Sequence, residues 1–318
     1  MKHTRVAWNL AKAKEFYVKF SFQPEYPPAF NQGHSGTINS KSLFAYGYNP
    51  SLLKIGERKL MAYRYHPKST WETQLAIAEL GPKFSVIENK KVTLTGISNE
   101  DPRLFEFNGE VWIAYVESAG WNRKSPPKSV VRYGKLVENR EWLLEKSFSV
   151  EYGKNDFTAM EKNWVPFVYE GMIHFIYQIS PSHIVIRVDG DRVIEEYNTE
   201  CPQWRFGQMK GGSCPFPTGS GKWVRAFHSR LDNEPPPIGH RYYVGTLEMN
   251  SAPPFEVTSV NETPRLFGSE LDSMTKTERN GCRHWKGNVV FPSGGFYDET
   301  GRYLSVGVND CECLIVKL

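Results

Sequence analysis

A short phrase recurs along this chain: a polar cluster, an apolar strand, a Gly-marked turn and a second apolar strand. Its clearest copy is Glu100-Asp101-Pro102-Arg103, then Leu104-Phe105-Glu106-Phe107, the turn Asn108-Gly109, and Val111 to Val116. Other copies open at Asn49-Pro50-Ser51, Glu161-Lys162-Asn163-Trp164, Gly211-Gly212-Ser213 and Gly287-Asn288-Val289. Five copies at spacings of roughly 50 to 75 residues predict five similar β-units around an axis, because a fixed period of that order marks repeated supersecondary units.

The second strands alternate in the manner of half-buried β-structure: Lys59 to Arg64, Met172 to Tyr177, Lys222 to Phe227 and Tyr303 to Val308. Each follows a Gly-containing turn, and Gly or Asn there supplies the positive φ that tight hairpins need. Only Ala7 to Phe20 has helical spacing, weakened by Val18 and by aromatic residues. Many short strands without βαβ alternation leave a sandwich or a propeller, and the recurrence favours the propeller. The expected fold is therefore all-β: a five-bladed β-propeller over residues 42–318, preceded by a short, helix-prone extension over residues 1–41. In a propeller the entry ends of the innermost strands meet at one mouth. That places Asn49, Asp101, Lys162 with Asn163, Gly212 with Ser213, and Asn288 around a common centre.

Composition narrows the function. The 318 residues carry 39 basic and 35 acidic side chains, well mixed, for a net charge of +4. No Lys/Arg block stands out, which argues against a nucleic-acid partner. No run approaches the ~18 apolar residues that span a bilayer, and Met1 to Trp8 lacks the apolar core of a signal peptide. The five cysteines fit a reduced, cytoplasmic protein better than a disulfide scaffold. Cys311-Glu312-Cys313 lacks the second pair a tetrahedral metal site needs and reads as two small buried thiols. Thr218-Gly219-Ser220-Gly221-Lys222-Trp223 misses the spacing of a phosphate loop and reads as a hairpin turn.

Asp101 is the strongest candidate for chemistry. A carboxylate at a strand start with Glu100 and Arg103 beside it can act as a general acid tuned by its neighbours, although Asp-Pro also simply begins turns. Lys162, Asn163 and Trp164 offer a cation, an amide and a ring that suits the C–H face of a sugar; a buried Trp beside a snorkelling Lys is the plainer alternative. Arg64 and His228 each end a second strand. Asp310, after Gly307-Val308-Asn309, can bind hydroxyls or cap a turn.

Collected in order, these motifs resemble glycoside hydrolase family 130, the five-bladed β-propeller mannoside phosphorylases and their hydrolytic relatives. The resemblance runs from about Asn49 to Asp310. It rests on Asn49-Pro50-Ser51 with Tyr63-Arg64, Glu100-Asp101-Pro102-Arg103, Lys162-Asn163-Trp164, Gly211-Gly212-Ser213 with Phe227-His228, Asn288 to Gly294, and Gly307-Val308-Asn309-Asp310. It implies that Asp101 is the general acid, delivering its proton through a sugar hydroxyl while phosphate attacks from the opposite face with inversion. It also implies that Asp310 holds the sugar, that Lys162-Asn163 stand where the family has Arg-Asn, and that His228 matches a phosphate-binding His.

A second family Arg becomes Ser180 before Pro181, which lowers the charge expected at the phosphate. Hydrolysis with Glu161, Glu200 or Glu270 as base therefore stays open. So do transfer from a sugar nucleotide and a non-catalytic carbohydrate-binding propeller. The resemblance implies a mannoside or oligosaccharide substrate, with inorganic phosphate as partner and no cofactor. Oligomeric state, homo-oligomers included, is left open.

Overall fold

The structure, a computed structural model, describes residues 47–67, 72–119, 128–218, 221–234, 239–267, 282 and 286–317. The expected extension and its helix-prone stretch Ala7 to Phe20 lie outside the described residues. Strands β1 (Tyr48–Ile55), β2 (Arg58–Tyr65), β3 (Gln74–Leu80) and β4 (Val86–Thr93) form an antiparallel meander. A 3-10 turn, Pro82–Phe84, precedes β4 and is the only helical element among the described residues.

β5 (Ser98–Phe107), β6 (Glu110–Ser118), β7 (Ser129–Glu138) and β8 (Trp142–Ser149) repeat the pattern. The two meanders touch through a short parallel ladder, Val92 with Trp142 and Thr93 with Leu143. A four-stranded sheet follows: β9 (Val165–Tyr169), β10 (Met172–Gln178), β11 (Ser182–Asp189) and β12 (Arg192–Glu200). The next contains β13 (Phe216–Pro217), β14 (Lys222–Glu234), β15 (Gly239–Asn250), β16 (Val257–Val260) and β17 (Leu266–Phe267). β18 (Val290–Asp298), β19 (Gly301–Val308) and β20 (Glu312–Lys317) form the last.

Side-chain period explains how these sheets stack. Successive strand residues point to opposite faces, and on β2 both faces are buried. Leu60 and Ala62 pack with Leu104, Ile113 and Tyr115 of the second meander. Met61, Tyr63 and Tyr65 pack instead with Phe296, Cys313 and Ile315 of the last sheet. Further clusters join the second sheet to the third, around Tyr133, Trp164 and Phe175, and the third to the fourth, around Phe167, Phe227 and Phe255. Val244, Leu266, Val306 and Leu314 join the fourth to the last. Each sheet is thus sandwiched between its chain neighbours, and the first packs on the last.

Polar contacts reinforce these seams. The Ser51 hydroxyl accepts the Leu104 N–H at 2.8 Å, linking the first two meanders. Ser305 Oγ accepts from Leu52 N at 3.0 Å and donates to Pro50 O at 2.7 Å. Lys54 Nζ lies 2.9 Å from Asp298 Oδ2. Residues some 250 positions apart are therefore joined where the first and last sheets meet.

One expectation changes. Cys311 is not a free thiol: it forms a disulfide with Cys282, with Cα atoms 6.3 Å apart. Cys313 is buried and free. Cys311 lies in the turn between β19 and β20, so it does not share a strand face with Cys313.

Candidate active site

The polar clusters share a backbone conformation. Asn49 (φ 51°), Asp101 (49°), Asn163 (71°), Gly211 (44°) and Asn288 (63°) are all left-handed, one for each recurrence of the phrase. A Cβ disfavours this region; Gly escapes the penalty, and Asn or Asp offset it with local hydrogen bonds. That is the physical reason the clusters are written in Asn, Asp and Gly. At Asn49 and Asp101 the following proline sits inside the strand, where it would cost a ladder hydrogen bond. The register slips at both places, between Tyr48 and Ser51 and between Glu100 and Arg103, and such bulges accommodate proline.

These turns bring the first two units into direct contact. Asn49 Nδ2 donates to Asp101 Oδ1 at 2.7 Å. Arg64 Nη1 lies 3.2 Å from the same oxygen and 2.6 Å from Glu100 Oε2. The Arg64 guanidinium is held over the Tyr48 ring, 4.2 Å from its centroid. Arg103 folds back so that Nη1 donates to the Asp101 carbonyl at 3.2 Å. A Cβ on Gly307 would sit 2.5 Å from Asn49 Oδ1, so the last unit's motif glycine makes room for this pair.

Asp101 is 5% exposed. Burial pushes its carboxyl up, but Arg64, Lys162 and the Asn49 hydrogen bond outweigh that and hold it below the ordinary value. Asp310 goes the other way: burial and the nearby Asp101 and Glu100 raise it against the pull of Arg64 and Lys286. The two carboxylates thus differ in proton affinity within one electrostatic neighbourhood.

Beyond Asp101 the site turns cationic. His228 is buried, and its imidazole is held down to about 3 by burial, Arg103 and Lys162, so it is neutral at ordinary pH. Its ring lies 4.6 Å from that of Phe291, over which Arg103 is also placed. Asn163 packs against the glycine of the next unit: a Cβ at Gly211 would meet Arg103 Nη2 at 3.0 Å and Asn163 Cβ at 3.1 Å. Arg64 Nε, Arg103 Nη2, Asn163 Oδ1 and His228 Nδ1 are buried polar atoms without a protein partner. Such atoms are rare in folded proteins, and two of the four belong to the arginines that contact Asp101.

Asn49, Arg64 and Asp101 are therefore in contact, while Lys162, His228 and Asp310 couple electrostatically to Asp101 or its partners. Other candidates fall elsewhere. Trp164 is 1% exposed, in the core between the second and third sheets, so its faces are closed to a sugar. Glu161 accepts from Trp164 Nε1 at 3.2 Å, Tyr177 Oη at 3.4 Å and Lys154 N at 3.3 Å, the partners of a structural carboxylate. Glu200 ends the outer strand β12, exposed. Glu270 lies outside the described residues.

Ser180 bonds Met209, accepting its N–H at 3.1 Å, and so ties down the residue before Lys210. Lys210 is the cation that sequence reasoning missed. It bridges to His228 by backbone hydrogen bonds in both directions, 2.8 and 3.1 Å, and precedes the left-handed Gly211 as Lys162 precedes Asn163. That shared position was the available signal. Arg225 was also missed: fully buried on β14, it donates to the Gly211 carbonyl, and burial together with Arg103 lowers it to about 9.

No protein-family model matches the sequence, and no curated protein sequence does. Solved structures do match in fold. A structure from work on glycoside hydrolases within the GH130 family of mannoside phosphorylases, enzymes that target β-1,2-mannosidic linkages in Candida mannan, is 14% identical (TM-score 0.59) over 92% of each chain. The β-1,2-mannobiose phosphorylase of Listeria innocua is 13% identical (TM-score 0.59) over 92% of this chain and 94% of that one. A GDP-Man-dependent mannosyltransferase from Leishmania mexicana is 14% identical (TM-score 0.59) over 98% of this chain and 95% of its own. The protein resembles the GH130 mannoside phosphorylases in fold: it is an all-β protein of the propeller type.

Proposed function

We propose that this protein is a five-bladed propeller enzyme that cleaves β-mannosidic linkages with inversion, transferring the mannosyl group to phosphate. The observation that supports it best is the buried carboxylate of Asp101 and the cations that act on it, Arg64, Lys162 and Arg103, with Lys210 beyond them at His228. Phosphorolysis needs one protein acid and an anion site. An inverting hydrolase needs a second carboxylate to activate water, and Glu161 is occupied by structural partners.

In this reading phosphate lies by Lys162, Lys210 and neutral His228. Its oxygen attacks the anomeric carbon as the bond to the leaving oxygen breaks. The Asp101 proton reaches that oxygen through a sugar hydroxyl, while Asp310 and Asn49 hold the sugar. Asp101 is ionised in the resting protein, since the cations outweigh burial. A bound phosphate anion offsets those cations, so substrate binding itself raises the proton affinity of the acid. Lys210 also restores the charge missing at Ser180.

The test is incubation of β-mannobiosides with and without phosphate. Phosphate-dependent release of mannose 1-phosphate is expected. Free mannose formed in phosphate-free buffer would overturn phosphorolysis in favour of hydrolysis. A second reading, mannosyl transfer from a sugar nucleotide, is favoured by the continuation of positive charge outward along β14, and turnover only with such a donor would establish it.

A further inference from the structure

One buried charge stands apart from the cluster around Asp101 and takes no part in the proposed reaction. Arg225 is fully buried on β14. Strand alternation puts its side chain on the same face as that of Phe227, which packs into the seam between the third and fourth sheets. Its Nη2 donates to the Gly211 carbonyl. Its Nε and Nη1 are buried N–H groups without a protein partner among the described residues.

The groups that act on this guanidinium carry no compensating charge. They are the free thiols of Cys214 and Cys201, packed against the same seam, and the Arg103 guanidinium. Burial pushes both thiols up to about 11, so they stay protonated. His183 is fully buried on β11, where Val185 belongs to the same seam. Burial and Arg225 hold its imidazole down to about 3, so it is neutral. No carboxylate among the described residues acts on Arg225. Arg103 already has Asp101 as its counter-charge, which leaves one positive charge in the seam unbalanced. Buried charges are ordinarily paired, and an unpaired one is strongly destabilising. Thiols and guanidinium N–H groups are hydrogen-bond donors, so the surroundings of Arg225 suit a negative guest.

We propose that Arg225 holds a resident monovalent inorganic anion of the halide class, in the seam between the third and fourth sheets beside Cys201 and Cys214. Charge selects the guest. One unbalanced guanidinium is neutralised by one negative charge, whereas a divalent oxyanion would carry an excess into a buried site, and burying an ion is costly. The ion is structural and separate from the inner cluster of Lys162, Lys210 and His228. It stands behind the turn that Arg225 fastens at Gly211, and the inference is independent of the reaction carried out at Asp101.

Thermal unfolding of the full chain in sodium gluconate and in sodium chloride or bromide tests it, at fixed ionic strength so that screening is constant. Halide is expected to raise the melting temperature by at least about 2 °C, with an effect that grows with halide concentration. Arg225→Met removes the charge at similar length and should melt at one temperature in gluconate and in halide. Lys210→Gln should keep the full halide effect, because Lys210 belongs to the inner cluster. Should Arg225→Met fail to fold, crystals of the parent grown in bromide carry the test, with an anomalous peak expected at hydrogen-bonding distance from the Arg225 guanidinium. Equal melting of the parent in halide and gluconate overturns the inference, as does a water at that position or bromide bound at crystal concentration only. A halide effect lost in Lys210→Gln and kept in Arg225→Met assigns the ion to the inner cluster and likewise overturns it.

Discussion

At the scale of single residues, Asp101 combines two demands, a left-handed backbone and a carboxylate, and substitutions can separate them. Asn accepts the same φ and keeps the shape, so Asp101→Asn should fold normally and lose roughly 10²–10⁴ in kcat, the usual contribution of a positioned general acid. Asp101→Ala should lose activity and also melt lower, because alanine pays the left-handed penalty of about 1–2 kcal/mol. Steady-state kinetics and thermal unfolding on both variants check this; an Asn variant with unchanged turnover would favour a non-catalytic binding propeller. Asp101 and Asn49 were singled out in the sequence because the polar clusters recur, and His228 because it ends a second strand and matches a position of the family it resembles. Lys210 was not, since the phrase in that unit was read from Gly211 onward. Trp164 and Glu161 look like site residues in sequence, and only the packing of Trp164 against Tyr152, Phe175 and Tyr177 and the hydrogen bonds of Glu161 to Trp164 and Tyr177 reveal a structural role.

At the scale of elements, the hairpins were the most legible part, because alternation and Gly turns are local signals. Strand extents and seams were not. Nothing in Lys222 to Asn250 announces that β14 and β15 outrun their neighbours, and the pairing of Cys282 with Cys311 is a three-dimensional fact. The serines of the motifs belong to this scale: Ser51 fastens β1 to β5 through the Leu104 N–H. Ser51→Ala leaves that buried donor unpaired, and the expected cost is about 1–3 kcal/mol. Urea unfolding measures it, with a lower midpoint and an unchanged slope as the expected outcome. A variant as stable as the parent would show that the seam relies on packing alone.

At the scale of the molecule, the contact between first and last sheets should make stability depend on pH through one pair. Burial raises the Asp298 carboxyl, but Thr300 and Lys54 bring it down to about 2. Folded Asp298 therefore binds its proton less readily than the unfolded chain, whose Asp titrates near 3.9. The pair stabilises the fold above about pH 4, and that contribution is lost as pH falls through about 2. Asp298→Asn should unfold at lower denaturant than the parent at pH 7, the difference shrinking toward pH 2. A gap that persists undiminished at pH 2 would contradict the assignment. Around the same ring, the left-handed positions behave as slots that admit a three-letter alphabet of Gly, Asn and Asp. This chain spells Asn, Asp, Asn, Gly, Asn, so a single carboxylate is drawn from five equivalent openings. Relocating or duplicating the acid then takes one amide-to-carboxylate exchange, at Asn163 for example, with no change of backbone. The scaffold's chemistry is in that sense editable one letter at a time.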